Sequence, residues 1–199
     1  MCGRYSLATE DKIIEIREII NEIAERYRNT LELKTMKTGE IFPTEVAPVL
    51  ILGETRPKAA LMKWGFPKLQ SRGVIINARA ETANEKKVFC SSLNKRRCVI
   101  PTTGFFEWHK KDGIKLKYLF RQPESKVLYL AGLFDEFATG NAYVILTAAA
   151  NPSIAAFHNR MPMVLCPDQI GPWLANPAFA QKFLRTPCKT VLEAADFNC

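Results

Sequence analysis

Between residues 98 and 150 the chain is punctuated into short apolar runs, and that punctuation constrains its fold more than any other feature. "CVIP", "GFFEWHK", "IKLKYLF", "VLYLAGLFDEF" and "AYVILTAAA" follow one another, the last four separated by "KDG", "QPESK" and "ATGN". Runs of this length rich in β-branched and aromatic residues, bounded by Gly, Pro, Asn and Asp, read as strands joined by hairpin-type turns. In "IKLKYLF", Ile114, Leu116, Tyr118 and Phe120 share one face and the lysines the other, as a half-buried strand requires. Further strands are predicted at "APVLIL", "KAALMKW" and "GVIINAR", and a last one at "MPMVL". The expected architecture is α+β: a curved, mostly antiparallel, barrel-like sheet with flanking helices, in one domain spanning residues 1–199.

The clearest helix is "TEDKIIEIREIINEIAERYRN", where Ile13, Ile16, Ile20 and Ile23 recur at three or four residues and form one apolar stripe. Thr9 is the expected N-cap, with acids in the first turn and Arg26 and Arg28 toward the C-terminal end. A second helix is expected at "TANEKKVFCSSLNKRR" with Thr82 as cap, and shorter ones at "PSIAAFH", "PDQIGPWLAN" and "PAFAQKFLR".

The chain has 199 residues, enough for one core, and no apolar run approaches the ~20 residues of a membrane span. The opening "MCGRYSLATEDK" turns charged too soon for a signal peptide, so a cytoplasmic, membrane-independent protein is expected. Its six cysteines are scattered with no CxxC pair, which argues against a zinc site or a disulfide framework; no metal and no cofactor is expected. The formal charge of +8 favours a polyanionic partner, and "KK" at 86–87, "NKRR" at 94–97 and "HKK" at 109–111 concentrate it in mid-chain. Each of these runs is equally compatible with a solvated face.

Four elements carry possible chemistry. Removal of Met1 would leave Cys2 with an α-amine and a thiol two carbons apart; the amine, with a reference pKa of about 7.7–8.0, is partly neutral near pH 7 and attacks aldehydes. The thiol can then close on the imine to form a thiazolidine, although Cys2 also reads as an incidental small residue. Asn77 and Arg79, in "NARAET", suit an oxygen or N-terminus and a phosphate respectively, or simply a turn. In "GFFEWHK", alternation puts Phe106 and Trp108 on one face and Phe105, Glu107 and His109 on the other. A carboxylate among aromatics suits general acid–base work, and a solvent-facing edge Glu is the bland alternative. His158 closes a short helix beside Arg160, as a proton shuttle next to a phosphate ligand or as an ordinary helix-end histidine.

Taken in order, "MCGRY", "FPTEVAPV", "LMKWGF", "INARAET", "RRCVIPTTGFFEW", "AGLFDEF", "LTAAAN" and "HNRMPMVL" resemble the SOS response-associated peptidase (SRAP) family over nearly the whole chain. The resemblance implies a DNA-damage protein that binds single-stranded DNA and links itself covalently to abasic sites. Cys2 would be the nucleophile by amine and then thiol. Asn77 and Glu107 would support attack and ring closure, and His158 with Glu107 would move protons. Arg79 and Arg160 would contact phosphates, with Arg4 close to the reacting terminus. Trp64, Trp108, Pro43 and Pro162 would pack on bases or wedge the strand. Peptidase removal of Met1 and lyase or crosslink-reversal chemistry are further implications, with a monomer expected. "WGFPKLQSRG" is shorter than the family's usual segment, and "GFFEW" replaces "GFYEW". Three other readings stay open: a class II glutamine amidotransferase-like hydrolase, a thiol peptidase using Cys2, His158 and Asn77, and a non-catalytic single-strand-binding module.

Overall fold

A computed structural model describes residues 2–9, 13–68 and 71–197. Met1 and the acids expected in the first helical turn, Glu10 and Asp11, lie outside the described residues. In chain order the elements are β1 (Tyr5–Leu7), α1 (Ile14–Arg26), α2 (Leu31–Thr35), β2 (Gly39–Ile41), β3 (Val46–Ile51), β4 (Lys58–Trp64), β5 (Phe66–Pro67), β6 (Val74–Ile75) and β7 (Asn77–Arg79). There follow α3 (Lys87–Lys95), β8 (Arg97–Thr102), β9 (Gly104–Lys111), β10 (Ile114–Arg121), β11 (Leu128–Phe137) and β12 (Gly140–Ala149). The chain ends with α4 (Pro152–Ala155), β13 (Arg160–Pro162), β14 (Val164–Leu165), α5 (Pro167–Ala175), α6 (Pro177–Leu184) and β15 (Glu193–Asp196).

The larger sheet closes on itself. β12 pairs with β4, β4 with β3, β3 with β8, β8 with β11, and β11 returns to β12, so five strands form a barrel. Most pairs are antiparallel, as expected for an α+β fold of this kind; β12 runs parallel to both β4 and β7. Strand alternation divides the side chains cleanly. Ala47, Val49, Ala60, Met62, Cys98, Ile100, Leu128, Leu130, Tyr143 and Ile145 fill the interior. Val99, Ala131, Leu133, Ala142, Val144 and Leu146 point outward against Phe89 and Leu93 of α3, Trp173 and Leu174 of α5 and Leu184 of α6. Each fully buried Leu, Ile or Val contributes roughly 1.5–3 kcal/mol of transfer free energy. Gly132 belongs to the interior set, and only glycine fits: a Cβ there would lie 2.4 Å from Ile100 Cδ1 if it were built, and 2.9 Å from the Val144 carbonyl oxygen.

α1 covers the outer face of β3 and β4 with Ile23 and Ile19, while Ile16 joins the cluster of the barrel interior, but the helix does more than pack. The free edge at the start of β4 has its backbone partners supplied by this helix. Glu22 accepts the Ala59 N–H at 2.8 Å, Arg26 donates to the Ala59 carbonyl at 3.1 Å, and the Tyr27 hydroxyl accepts the Leu61 N–H at 3.1 Å. Side chains thus stand in for a missing strand and keep the edge from pairing elsewhere.

Several local expectations need correction. α1 starts at Ile14 with no side-chain cap, so Thr9 does not cap it. Thr82 closes a single 3-10 turn, Ala80–Thr82, and α3 begins only at Lys87. "QPESK" does not close a hairpin, because β10 lies in the smaller sheet, ordered β15–β10–β9–β1–β2, and β11 lies in the barrel. The expected strand at 161–165 is split into β13 on β12 and β14 on β11. The "NKRR" run does not present all its charges to solvent. Arg97 is buried (4% exposed) and donates to the carbonyls of Leu93 and Asn94 at the end of α3 and of Trp173 and Leu174 at the end of α5. Arg96 is paired with Asp135 at 2.9 Å. The described cysteines are free, and among the described residues there is no group of His, Cys, Asp and Glu able to hold a metal and no helix long and apolar enough to cross a membrane.

Candidate active site

The position of Cys2 follows from β1, a strand the sequence pattern gave no reason to expect. β1 lies between β2 and β9, with Tyr5 opposite Ile41 on one side and Phe105 on the other, and Phe106 N–H bonds the Arg4 carbonyl at 2.8 Å. This pins the chain two to three residues downstream of Cys2, whose side chain is wholly buried in the barrel cluster. The Asn77 amide donates to the Cys2 carbonyl oxygen at 2.9 Å. The thiol points to the Arg4 carbonyl at 3.7 Å. Burial first, and then the negative charge of Glu107, push the Cys2 thiol far above its ordinary value, so the sulfur rests as S–H. Glu107 itself is 4% exposed on β9, buried rather than facing solvent. Cys2, Asn77 and Glu107 are therefore brought together.

Beneath them lie aromatics. Tyr5 and Tyr143 share a hydrogen bond of 2.7 Å between their hydroxyls, and Trp64 stacks over Tyr143 with ring centroids 6.4 Å apart. Trp64 is completely buried, and its Nε1–H donates to the Ile76 carbonyl at 3.0 Å. It presents no surface to solvent. It fixes the backbone just before Asn77 instead. Pro162 is buried in β13 as well, so neither of these two expected base contacts is at the surface.

A second group lies along the next stretch of the same strand. Asn77 and Arg79, two residues apart on β7, project to the same side, and β7 and β13 both pair with β12, where Thr147 faces Arg79 and Pro162. Arg79, His158, Asn159 and Arg160 line a cavity of about 450 Å³. His158 ends the turn after α4, its N–H bonded to the Ile154 carbonyl, and its Nδ1 accepts the Arg160 N–H at 2.9 Å. That bond places the lone pair on Nδ1, so a neutral ring carries its proton on Nε2. A larger cavity, about 1070 Å³, runs past Ala148, Leu184 and Val191 and reaches Glu81. None of the expected catalytic side chains lines it.

Arg4 sits between two aromatic rings, 4.2 Å from the Phe42 centroid and 4.8 Å from that of Trp108, and is paired with Glu40 at 2.8 Å. Glu40 also receives Lys117 at 2.8 Å. Burial alone would raise the Glu40 carboxyl, but Lys117 and Arg4 outweigh it and hold it below the usual range. Phe42, 40% exposed, adjoins the half-buried Pro43. With the half-buried Trp108 it flanks the Arg4 guanidinium. Sequence reasoning missed Phe42, although it stands in "FPTEVAPV" beside Pro43. It also missed Glu40 and Glu81, the carboxylates that hold Arg4 and Arg160.

Comparison with known proteins points the same way. The sequence model described as SOS response associated peptidase (SRAP) matches residues 1–197. The chain is 30% identical over 207 aligned positions to the abasic site processing protein YoqW of Bacillus subtilis, covering 93% of this chain and 87% of that one. It is 25% identical over 182 positions to the abasic site processing protein YedK of Escherichia coli, covering 87% and 79%. A crystal structure of a Bacteroides thetaiotaomicron protein superposes with a TM-score of 0.77 over 99% of this chain and 92% of that one, at 21% identity, a likeness of fold.

Proposed function

This chain belongs to the SOS response associated peptidase family, and on that premise we propose that it processes abasic sites in single-stranded DNA by covalent capture on Cys2. The observation that carries the reading is the buried Cys2, its carbonyl held by Asn77 and its thiol beside the Glu107 carboxylate. In this reading Met1 is first hydrolysed away, freeing the α-amine. The neutral amine adds to the aldehyde carbon of the ring-opened sugar, forming a C–N bond. The carbinolamine loses one water to give an imine. The Cys2 sulfur then adds to the imine carbon while its proton passes to nitrogen, closing a five-membered thiazolidine. One water leaves, and no electrons are gained or lost.

The thiol's raised proton affinity fits this order, with the amine attacking first and the sulfur surrendering its proton only on ring closure. Glu107 takes up and returns protons, and Asn77 keeps the N-terminus from swinging out of the site. His158 acts on protons of the sugar. Arg79, Arg160 and Arg4 receive phosphates, and Phe42 and Trp108 offer faces for bases.

The test is incubation of purified protein with single-stranded DNA carrying one abasic site, read by denaturing gel and intact mass. The expected product is a heat-stable adduct on protein lacking Met1, lost in Cys2→Ala. A Met1-free wild type that forms no adduct refutes the proposal. Ammonia release from glutamine, or a band shift seen only under native conditions, would favour the amidotransferase or the simple binding module respectively.

A further inference from the structure

Resting on the reading of Arg160 as a phosphate contact, we propose that Glu81 is a carboxylate placeholder for that phosphate, exchanged for it when the strand binds, and that it thereby sets strand affinity. Glu81 stands in the 3-10 turn Ala80–Thr82, directly after β7. Its carboxylate meets the Arg160 guanidinium fork to fork: Nη1 donates to Oε1, and Nη2 donates to Oε2 at 2.9 Å. Nη2 also donates to the Thr147 carbonyl at 2.6 Å, and Nε is buried with no hydrogen-bond partner. The outward edge of the guanidinium is therefore taken by Glu81, and the inward edge faces the barrel wall.

A phosphate arriving from the cavity of Arg79, His158 and Arg160 offers the same pair of oxygens and the same sign of charge. It can occupy the outward edge only by replacing the carboxylate. The two side chains differ in freedom. Arg160 is held, with 15% of its side chain exposed, whereas half of the Glu81 side chain is exposed and can return to water. Arg160 hydrogen bonding also keeps Glu81 below the ordinary carboxylate range, so it remains charged and competes. The exchange conserves the charged hydrogen bonds of Arg160, so this arginine adds little net affinity for an isolated phosphate. It rewards a strand whose neighbouring contacts are already made.

Glu81→Gln keeps the shape and removes the charge. Affinity is read by fluorescence anisotropy with a labelled oligothymidylate that has no abasic site, so crosslinking plays no part. Glu81→Gln is expected to bind roughly fivefold more tightly than wild type, the size of one surface ion pair removed. Glu81→Ala should move in the same direction. In an Arg160→Ala background the gain from Glu81→Gln should shrink to less than about twofold, the residue of general charge alone. Unchanged or weaker binding by Glu81→Gln overturns the exchange and makes Glu81 a brace that orients Arg160. A wild type that binds the strand yet never crosslinks an abasic one refutes the proposed function while leaving this comparison intact. A wild type that does not bind the strand overturns the exchange along with the phosphate reading.

Discussion

Replacing Arg97 by methionine separates a structural from a nucleic-acid role for the densest basic run in the chain. The Arg97 guanidinium donates to four backbone carbonyls at the ends of α3 and α5, at distances of 2.5 to 2.8 Å. No carboxylate is among these partners; the negative ends of two helices serve as the counter-charge. Charged hydrogen bonds contribute about 1.5–3 kcal/mol each, which would sum to roughly 6–12 kcal/mol for four. Desolvating the guanidinium costs several kcal/mol of that, and methionine restores the volume of the stem. The expected net loss is about 3–5 kcal/mol, against a total of roughly 5–15 kcal/mol for a folded domain. The midpoint of thermal unfolding should fall by about 10 °C. Urea unfolding followed by circular dichroism measures it, and anisotropy with oligothymidylate at low temperature measures strand affinity of the folded fraction. If Arg97→Met does not fold, Arg97→Lys, with a charge but fewer donors, should lose roughly 2 kcal/mol. A loss under about 1 kcal/mol together with clearly weaker strand binding would refute the capping role and restore the basic patch.

Other expectations follow from the same structure. Asn77→Ala should slow adduct formation by roughly 10- to 100-fold in single-turnover gels, because the N-terminus loses its fixed orientation; a wild-type rate removes Asn77 from the mechanism. Trp64→Phe should cost about 2–3 kcal/mol of stability through a lost hydrogen bond and a core void, while Trp108→Ala should weaken strand binding roughly tenfold at little cost in stability; the reverse pattern would return Trp64 to the strand. Burial pushes the Cys98 thiol and the Tyr5 and Tyr143 hydroxyls above their ordinary values of 9.0 and 10.0, so the folded protein prefers all three protonated. Stability from these groups is full below pH 9 and is lost as pH rises, because the unfolded chain releases their protons first. Urea midpoints should therefore fall from pH 9 to 11, less steeply in Tyr143→Phe, and a flat profile contradicts the burial argument.

Much of the candidate site was legible because its polar residues interrupt or adjoin apolar runs. Asn77 after "GVII" and Glu107 within "GFFEW" are of this kind. β1 and β2 were not legible, since three-residue strands carry no periodicity. Without β1 nothing in the sequence explains why Cys2 is buried rather than trailing in water. Glu40 and Glu81 were missed because a carboxylate's role depends on which arginine faces it, at 36 and 79 residues' separation here.

Local pattern was enough for the strand-rich α+β character, the two-sided strands and the choice of candidate reactive groups, because side-chain alternation and chemical type are local properties. Closure of the barrel, the parallel contacts of β12, the burial of Trp64 and Pro162 and the division of arginines between helix ends and the site were decided only in three dimensions. Those outcomes depend on which distant segments become neighbours. A tryptophan or a guanidinium reads the same in sequence whether it meets solvent, a helix end or a carboxylate, and only the partner that packs against it selects among the three.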